Sequence, residues 1–364
     1  MAEVIPSTMR ALVLPAPGKY EIQEVPVPQP EAGEVLCKVR GVAICGSDPE
    51  ILRGDLAGRW PPAYPFIPGH EWSGQVVAVG PGVVNLAVGD AVAGQAHKGC
   101  GYCRNCLAGR YTICEYYGRP DTGHRHYGFI TPGAYAQYIA ISVKSLSAMP
   151  NTMTFREGAL VDTAGVVLHG LELSGITPGG TVAVIGPGPI GLIAMRLARV
   201  MGAARVIAVG RGARLQASRT AGADALINFE DTDPVTAVRG VTGGLGVDEA
   251  IECSGAAGTF RQAVEMVRKG GHVALIGVPT DKVIEPLPFK YIVHNEIAIF
   301  GARANPNVSH KVISLIAAGQ LPVADLVTHT FPLERFAAAL EVFVGRREGV
   351  IKVVVEPNGD SQGH

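Results

Sequence analysis

The chain has 364 residues, enough for two cores rather than one. Its 47% hydrophobic content argues against disorder, and a formal charge of -1 without a basic stripe or acidic tail argues against nucleic acid and anionic membranes as partners. The 47 Gly and 26 Pro, spread along the chain, point to many turns and short strands.

Residues 1–155 read as β-rich. Short runs at 34–39, 73–79 and 134–141 sit between Gly, Pro and Asp turns, and Pro26, Pro28 and Pro30 mark an extended entry segment. From 156 to 303 apolar runs alternate with helical patterns. The runs are 181–185, 205–209, 247–251, 272–277 and 296–300. Between them lie helices such as 190–201, with Ile193, Leu197 and Met201 on one face. Such alternation predicts a doubly wound parallel sheet in an α/β fold. Residues 304–364 combine a helix at 309–318 with short strands ending at 349–355. They are expected to complete the first domain, leaving 156–303 as the dinucleotide-binding domain.

No basic segment followed by an apolar run opens the chain, so a signal peptide is not expected and the protein is read as cytoplasmic. The most apolar stretch, 181–210, carries Arg196, Arg199, Arg205 and five glycines, unlike a membrane span.

Taken in order, Cys45-Gly46-Ser47-Asp48 and Gly69-His70-Glu71 offer metal ligands. Alone, such a Cys reads equally as a small buried apolar residue and such a His as an ordinary core or surface residue. Trp60 and Phe66 are either a pocket wall or barrel core. Cys100-x2-Cys103-x2-Cys106-x7-Cys114 places four thiols within fifteen residues. Four thiolates close a tetrahedral zinc and leave no open position, which makes the site structural. The alternatives are disulfides or a redox switch, both disfavoured in an unsecreted chain. His124-Arg125-His126-Tyr127-Gly128 reads as a solvated loop, with a place in the cleft as the alternative.

Gly186-Pro187-Gly188-Pro189-Ile190-Gly191 follows a strand and opens a helix, which is the context the GxGxxG spacing demands of a dinucleotide loop. Free amides at the helix start would hold the pyrophosphate. At the end of the next strand, where a carboxylate would bind the ribose 2′-hydroxyl of NAD, stands Gly210, followed by Arg211 and Arg214. A missing carboxylate and two guanidiniums favour NADP(H) over NAD(H). The alternative is two solvated surface arginines.

Gly69-His70-Glu71-x2-Gly74-x5-Gly80-x2-Val83 joins the Cys45 segment upstream, the four-cysteine lobe and Gly133-Ala134-Tyr135-Ala136-Gln137-Tyr138 downstream, and the glycine-rich loop. In this order, over nearly the whole chain, they resemble the zinc-containing medium-chain alcohol/polyol dehydrogenases (sorbitol- and secondary-alcohol-dehydrogenase-like). The resemblance implies a GroES-like partly open β-barrel beside the Rossmann domain, and one catalytic and one structural zinc per chain. Cys45, His70 and Asp162 would hold the catalytic zinc. Asp162 stands where alcohol dehydrogenases often carry Cys and polyol dehydrogenases Glu. Glu71 would lie beside the metal and ligate it transiently. Ser47 would take the alcohol proton. Glu50 replaces the His the family often places three residues after that Ser, which puts the usual end of the proton relay in question. Asp48 would orient its neighbours. Arg303 falls where polyol dehydrogenases place an active-site Arg, with a structural salt bridge as the equal alternative.

The implied activity is hydride transfer between a small-molecule secondary alcohol or polyol and NAD(P), by a homodimer or homotetramer paired through the strand at 296–301. Two rivals stay open. One is a zinc-independent quinone or enoyl reductase, whose kind typically lacks the Cys45, His70, Glu71 set. The other is a non-enzymatic NADPH-binding sensor on the same fold.

Overall fold

A computed structural model describes residues 4–280, 283–347 and 349–359. The chain changes unit between Asp162 and Thr163 and again between Asn305 and Pro306. In the first unit β1 (Thr8–Ala16) and β2 (Lys19–Pro26) form a hairpin. They are followed by β3 (Glu34–Ala43), α1 (Asp48–Arg53), β4 (Glu71–Val79), β5 (Ala91–Gly94), β6 (His97–Lys98), α2 (Arg104–Leu107), β7 (Arg125–His126), β8 (Tyr138–Ser142), β9 (Leu146–Ala148) and α3 (Phe155–Gly158). The first change of unit falls later than the expected 155/156 because α3 docks on the barrel. Phe155 is buried, its carbonyl accepts from the Ser73 hydroxyl, and Thr154 with Glu157 forms a capping box.

In the second unit, entered through α4 (Val161–Ser174), the strands are β10 (Thr181–Ile185), β11 (Arg205–Gly210), β12 (Ala225–Asn228), β13 (Val247–Glu252), β14 (Val267–Leu275) and β15 (Ala298–Gly301). Helix α5 (Pro189–Val200) links β10 to β11, and α6 (Gly212–Ala217) links β11 to β12. All pairings are parallel, in the order β12-β11-β10-β13-β14-β15. Val182, Ala183, Val184, Val206, Ile207 and Ala208 are fully buried, as expected of strands covered on both faces. Strand order reverses between β10 and β13, the crevice where doubly wound sheets bind ligands at their carboxyl ends. Ile193 and Leu197 are buried on α5, whereas Met201 is its C-cap and only partly buried.

The chain then returns to the first unit through a helix at Ser309–Ala317 and the strands β16 (Val327–Pro332) and β17 (Lys352–Glu356). The larger barrel sheet runs β16-β17-β3-β4-β5-β9, with β8 also on β3. Ala43 of β3 faces Glu71 of β4 on one side and Val354 of β17 on the other, and the Ile44 amide donates to the Val353 carbonyl at 2.9 Å. This register brings the segments holding Cys45, Glu71 and Lys352 to one end of the sheet. Trp72, Ile44, Ile51 and Ile141 fill the core below. No described helix is long and apolar enough to cross a membrane.

Candidate active site and metal centres

Ligand atoms of Cys45, His70 and Glu71 lie within 4.8 Å of one another. Cys45 is held by the loop into α1, where its amide donates to Asp48 Oδ2 at 2.8 Å, and Tyr135 Oη donates to the same oxygen at 2.7 Å. Asp48 Oδ1 lies 3.9 Å from His70 Nδ1. Asp48 therefore ties the Cys45 loop to the Tyr135 ring by hydrogen bonds and faces the imidazole as a nearby charge, an orienting role. Gly69 sets the entry of His70. It has φ 98°, and a Cβ there would meet the Tyr135 ring and amide at 2.8 Å, so no side chain fits.

Burial alone would lower the His70 pKa, yet Cys45, Asp48 and Glu71 outweigh it and raise it to about 10. So much negative charge facing one buried imidazole is a donor set that a divalent cation would answer. Lys352, fully buried on β17, forms an ion pair with Glu71 Oε2. Burial raises the Glu71 pKa, but Lys352 and His70 prevail and hold the carboxylate ionised.

Glu71, expected beside the metal and next to His70 in the chain, has its carboxylate in the converging set, whereas the expected third ligand Asp162 is not among these ligand atoms. Asp162 is buried in the first turn of α4, where its charge bears on Tyr111. Ser47 occupies the N-cap position of α1 but makes no capping bond; its Oγ is buried without a hydrogen-bond partner among the described residues. Glu50 is half-buried in the first turn of the same helix. Arg303 is exposed just after β15.

The 124–128 segment is not a solvated loop. His124 and His126 are buried, and β7 pairs with β6 so that His126 faces His97. Their rings stack at 4.0 Å, His126 stacks on Phe129 at 4.1 Å, and Phe129 leans on His70 at 4.5 Å. Tyr117 Oη bonds His126 Nδ1 at 2.6 Å, and Trp60 packs edge-on against Phe129 at 5.4 Å. A wall of rings thus runs from the metal-ligand candidate His70 to His97. Phe66 belongs to the barrel core, while Trp60 is partly exposed at this wall. The available signal was the alternation His124, Arg125, His126, the period of a strand with one buried face.

In the lobe, Cys100, Cys103, Cys106 and Cys114 also lie within 4.8 Å of one another. No disulfide is present. Sulfurs of Cys100 and Cys106 are 3.8 Å apart, and those of Cys103 and Cys114 are 3.9 Å apart. A tetrahedron with zinc–sulfur bonds of about 2.3 Å has an edge of about 3.8 Å, so the spacing fits four thiolates around one ion. Amides of Cys103, Cys106 and Tyr116 point at Cys100, Cys103 and Cys114 sulfurs, each at 3.4 Å. Burial pushes the Cys103 thiol up, but the amides of Cys106 and Glu115 and the neighbouring thiols bring it down to about 6.

In the second unit the glycine-rich loop leads into α5, with Gly188 as N-cap and Pro189 in the first turn. Gly186, Ile190 and Gly191 complete the strand–turn–helix. The Gly186 and Gly188 amides donate to the Val209 and Gly186 carbonyls and proline has no N–H, so the amides of Ile190 and Gly191 are the ones that would face a pyrophosphate. Gly210 ends β11, and a Cβ there would lie 2.4 Å from the Pro187 ring. The loop's own proline thus excludes the carboxylate that would mark an NAD site. Arg214 reaches the loop, its Nη1 3.9 Å from where a Cβ on Gly188 would stand. Arg211 is exposed and pairs with Glu230 at 2.8 Å.

Residues 31–151 match the family model of the alcohol dehydrogenase GroES-like domain, and residues 189–318 match that of zinc-binding dehydrogenase. The chain is 34% identical to sorbitol dehydrogenase of Bacillus subtilis (strain 168) over 98% of its own length and 100% of that protein. It is 35% identical to L-threonine 3-dehydrogenase of Symbiobacterium thermophilum over 96% of this chain and 98% of the other. A solved structure of a Sinorhizobium meliloti 1021 protein, described as a zinc-binding dehydrogenase bound to NADP, superposes with a TM-score of 0.87 at 32% identity, covering 97% of this chain and 100% of that one. With two clusters that could hold a metal ion, a GroES-like barrel and a Rossmann sheet, the chain belongs to the zinc-containing medium-chain alcohol/polyol dehydrogenases, enzymes that exchange a hydride between an alcohol and NAD(P).

Proposed function

We propose that this enzyme oxidises a secondary alcohol carrying further hydroxyl groups, or reduces the matching ketone, with NADP(H) preferred over NAD(H). The observation that carries the reading is the convergence of Cys45, His70 and Glu71, with the Ser47 hydroxyl of the Cys45 loop buried and without a hydrogen-bond partner among the described residues. Cys45 and His70 hold the catalytic zinc. Asp162 would be the third ligand of the working enzyme, and Glu71, paired with Lys352, would be the carboxylate beside the ion. Bound there, zinc supplies Lewis acidity that eases loss of the alcohol proton or polarises the ketone.

The protein groups orient and move the proton. Asp48 fixes the Cys45 loop and sets a charge beside the imidazole, and Ser47 Oγ, not spent on capping, accepts the alcohol proton. Glu50, one turn on, is the proposed next carrier. A substrate with several hydroxyls fits the ring wall, where Trp60 Nε1 and Tyr64 Oη are buried without partners among the described residues. For the cofactor, the barred position at Gly210 and the nearby Arg211 and Arg214 support the 2′-phosphate, as does the NADP held by the Sinorhizobium meliloti relative.

The four-cysteine lobe is the second, structural zinc site. Strand β15 pairs among the described residues with β14 alone, an edge that supports pairing of two copies into a homodimer or homotetramer. The cytoplasm is the proposed compartment, where thiols stay reduced. A zinc-free reductase and a non-enzymatic sensor are both disfavoured by the intact Cys45, His70, Glu71 set.

A panel of secondary alcohols, polyols and hydroxy amino acids with each cofactor tests the reading. Turnover is expected on a polyhydroxylated secondary alcohol. Ser47→Ala is expected to lower kcat by about 100-fold with the zinc content intact. Inertness across the panel in the presence of bound zinc would overturn it.

A further inference from the structure

The surroundings of Arg211 carry one step more, and it rests on the NADP(H) reading above. Ladder pairing sets Gly210 opposite Asn228 at the ends of β11 and β12, and the Phe229 amide donates to the Gly210 carbonyl at 3.2 Å. The chain after β12 therefore stays beside the end of β11, where the adenosine ribose is bound in such sheets. Asn228 braces the turn: its Oδ1 accepts from the Glu230 amide at 3.2 Å, and its Nδ2 donates to Asp231 at 2.9 Å. Glu230 is thereby presented to Arg211, whose Nη1 lies 2.8 Å from Glu230 Oε1 and whose guanidinium lies over the Phe229 ring, 5.6 Å from its centroid.

We propose that Glu230 is a specificity-determining residue that competes with the 2′-phosphate of NADP(H) for the Arg211 guanidinium. A Cβ at Gly210 would meet the Pro187 ring, so the acidic group near the ribose site comes from the turn after the neighbouring strand instead. With NAD(H), Arg211 keeps Glu230 as partner and the ribose hydroxyl meets no unpaired charge. With NADP(H), the guanidinium turns to the phosphate, and Glu230 is left facing a dianion. Cofactor choice is then a balance set by two side chains, and this enzyme accepts both cofactors with a preference smaller than Arg211 alone would give. Both side chains are about half exposed, so the effect is screened by salt.

The test is the Kd of NADP+ and NAD+, measured by calorimetric or fluorescence titration on the zinc-loaded protein at low and high ionic strength. Glu230→Gln is expected to tighten NADP+ by about three- to tenfold and to leave NAD+ within about twofold. Glu230→Asp keeps the charge on a shorter side chain and is expected to fall between. The gain is expected to shrink at high salt, and in an Arg211→Ala background. Arg211→Ala itself is expected to weaken NADP+ selectively. If it does so while Glu230→Gln leaves the ratio of the two constants unchanged, the competition is refuted and the NADP(H) reading stands. If Arg211→Ala weakens both cofactors equally, that reading fails and the inference falls with it.

Discussion

The two candidate metal centres of the first unit are built in opposite ways. In the lobe, four sulfurs come from residues 100–114, and amides from the same loop point at three of them. At the active centre, Cys45 follows β3, His70 and Glu71 open β4, and the buried counter-charge, Lys352, arrives on β17 near the end of the chain. The lobe is a local property of a short segment. The active centre is a property of the assembled barrel, and its chemistry depends on strand register. The contrast suits their roles, since a closed site only has to hold, whereas an open one must keep a position for substrate.

Substitutions at the two centres should separate these behaviours. The largest effect is expected for Cys45→Ser, which should lower kcat/KM by about a thousandfold or more because several kcal/mol of transition-state stabilisation go with the ion. Steady-state rates, with folding checked by circular dichroism, decide it; a fall below tenfold would break the assignment. Next comes Lys352→Met, which leaves Glu71 buried beside Cys45 and Asp48 without its cation. The expected loss is about 3–5 kcal/mol in a urea melt. An unchanged midpoint would mean that the active centre is not coupled to the barrel through β17. The smallest global effect is expected for Cys103→Ser, about 2 kcal/mol or less, with faster amide exchange confined to residues 100–117 and an unchanged rate per folded molecule. A loss of activity equal to that of Cys45→Ser would erase the distinction between the centres.

The same contrast explains what could be read before the structure. The lobe, the glycine-rich loop and the strand at Thr181–Ile185 were legible because their signals are local: fixed spacing, or an apolar run on a strand covered on both faces. The start of β14 was missed because Arg268, Lys269, Gly270 and Gly271 interrupt the apolar run with residues that normally mark a turn. Of the expected run at 134–141, only Tyr138–Ser142 forms strand, and the residues before it bridge singly to β1 through Ala136. Lys352 was invisible because a lysine at the start of a strand usually reads as solvent-facing; only the β17–β3 register shows that it points at Glu71. The pairing of His97 with His126 is likewise a contact across 29 residues that no periodicity announces. Arg211 stands out in the sequence beside Gly210, but its partner Glu230 lies in the turn after β12 and comes only with the sheet.

The most direct test of this account is the zinc content of purified protein by plasma mass spectrometry, compared with Cys45→Ser. The account predicts two zinc ions per chain in the parent and one in the variant, the survivor held by the four cysteines. One ion in the parent, or two retained in the folded variant, would contradict it.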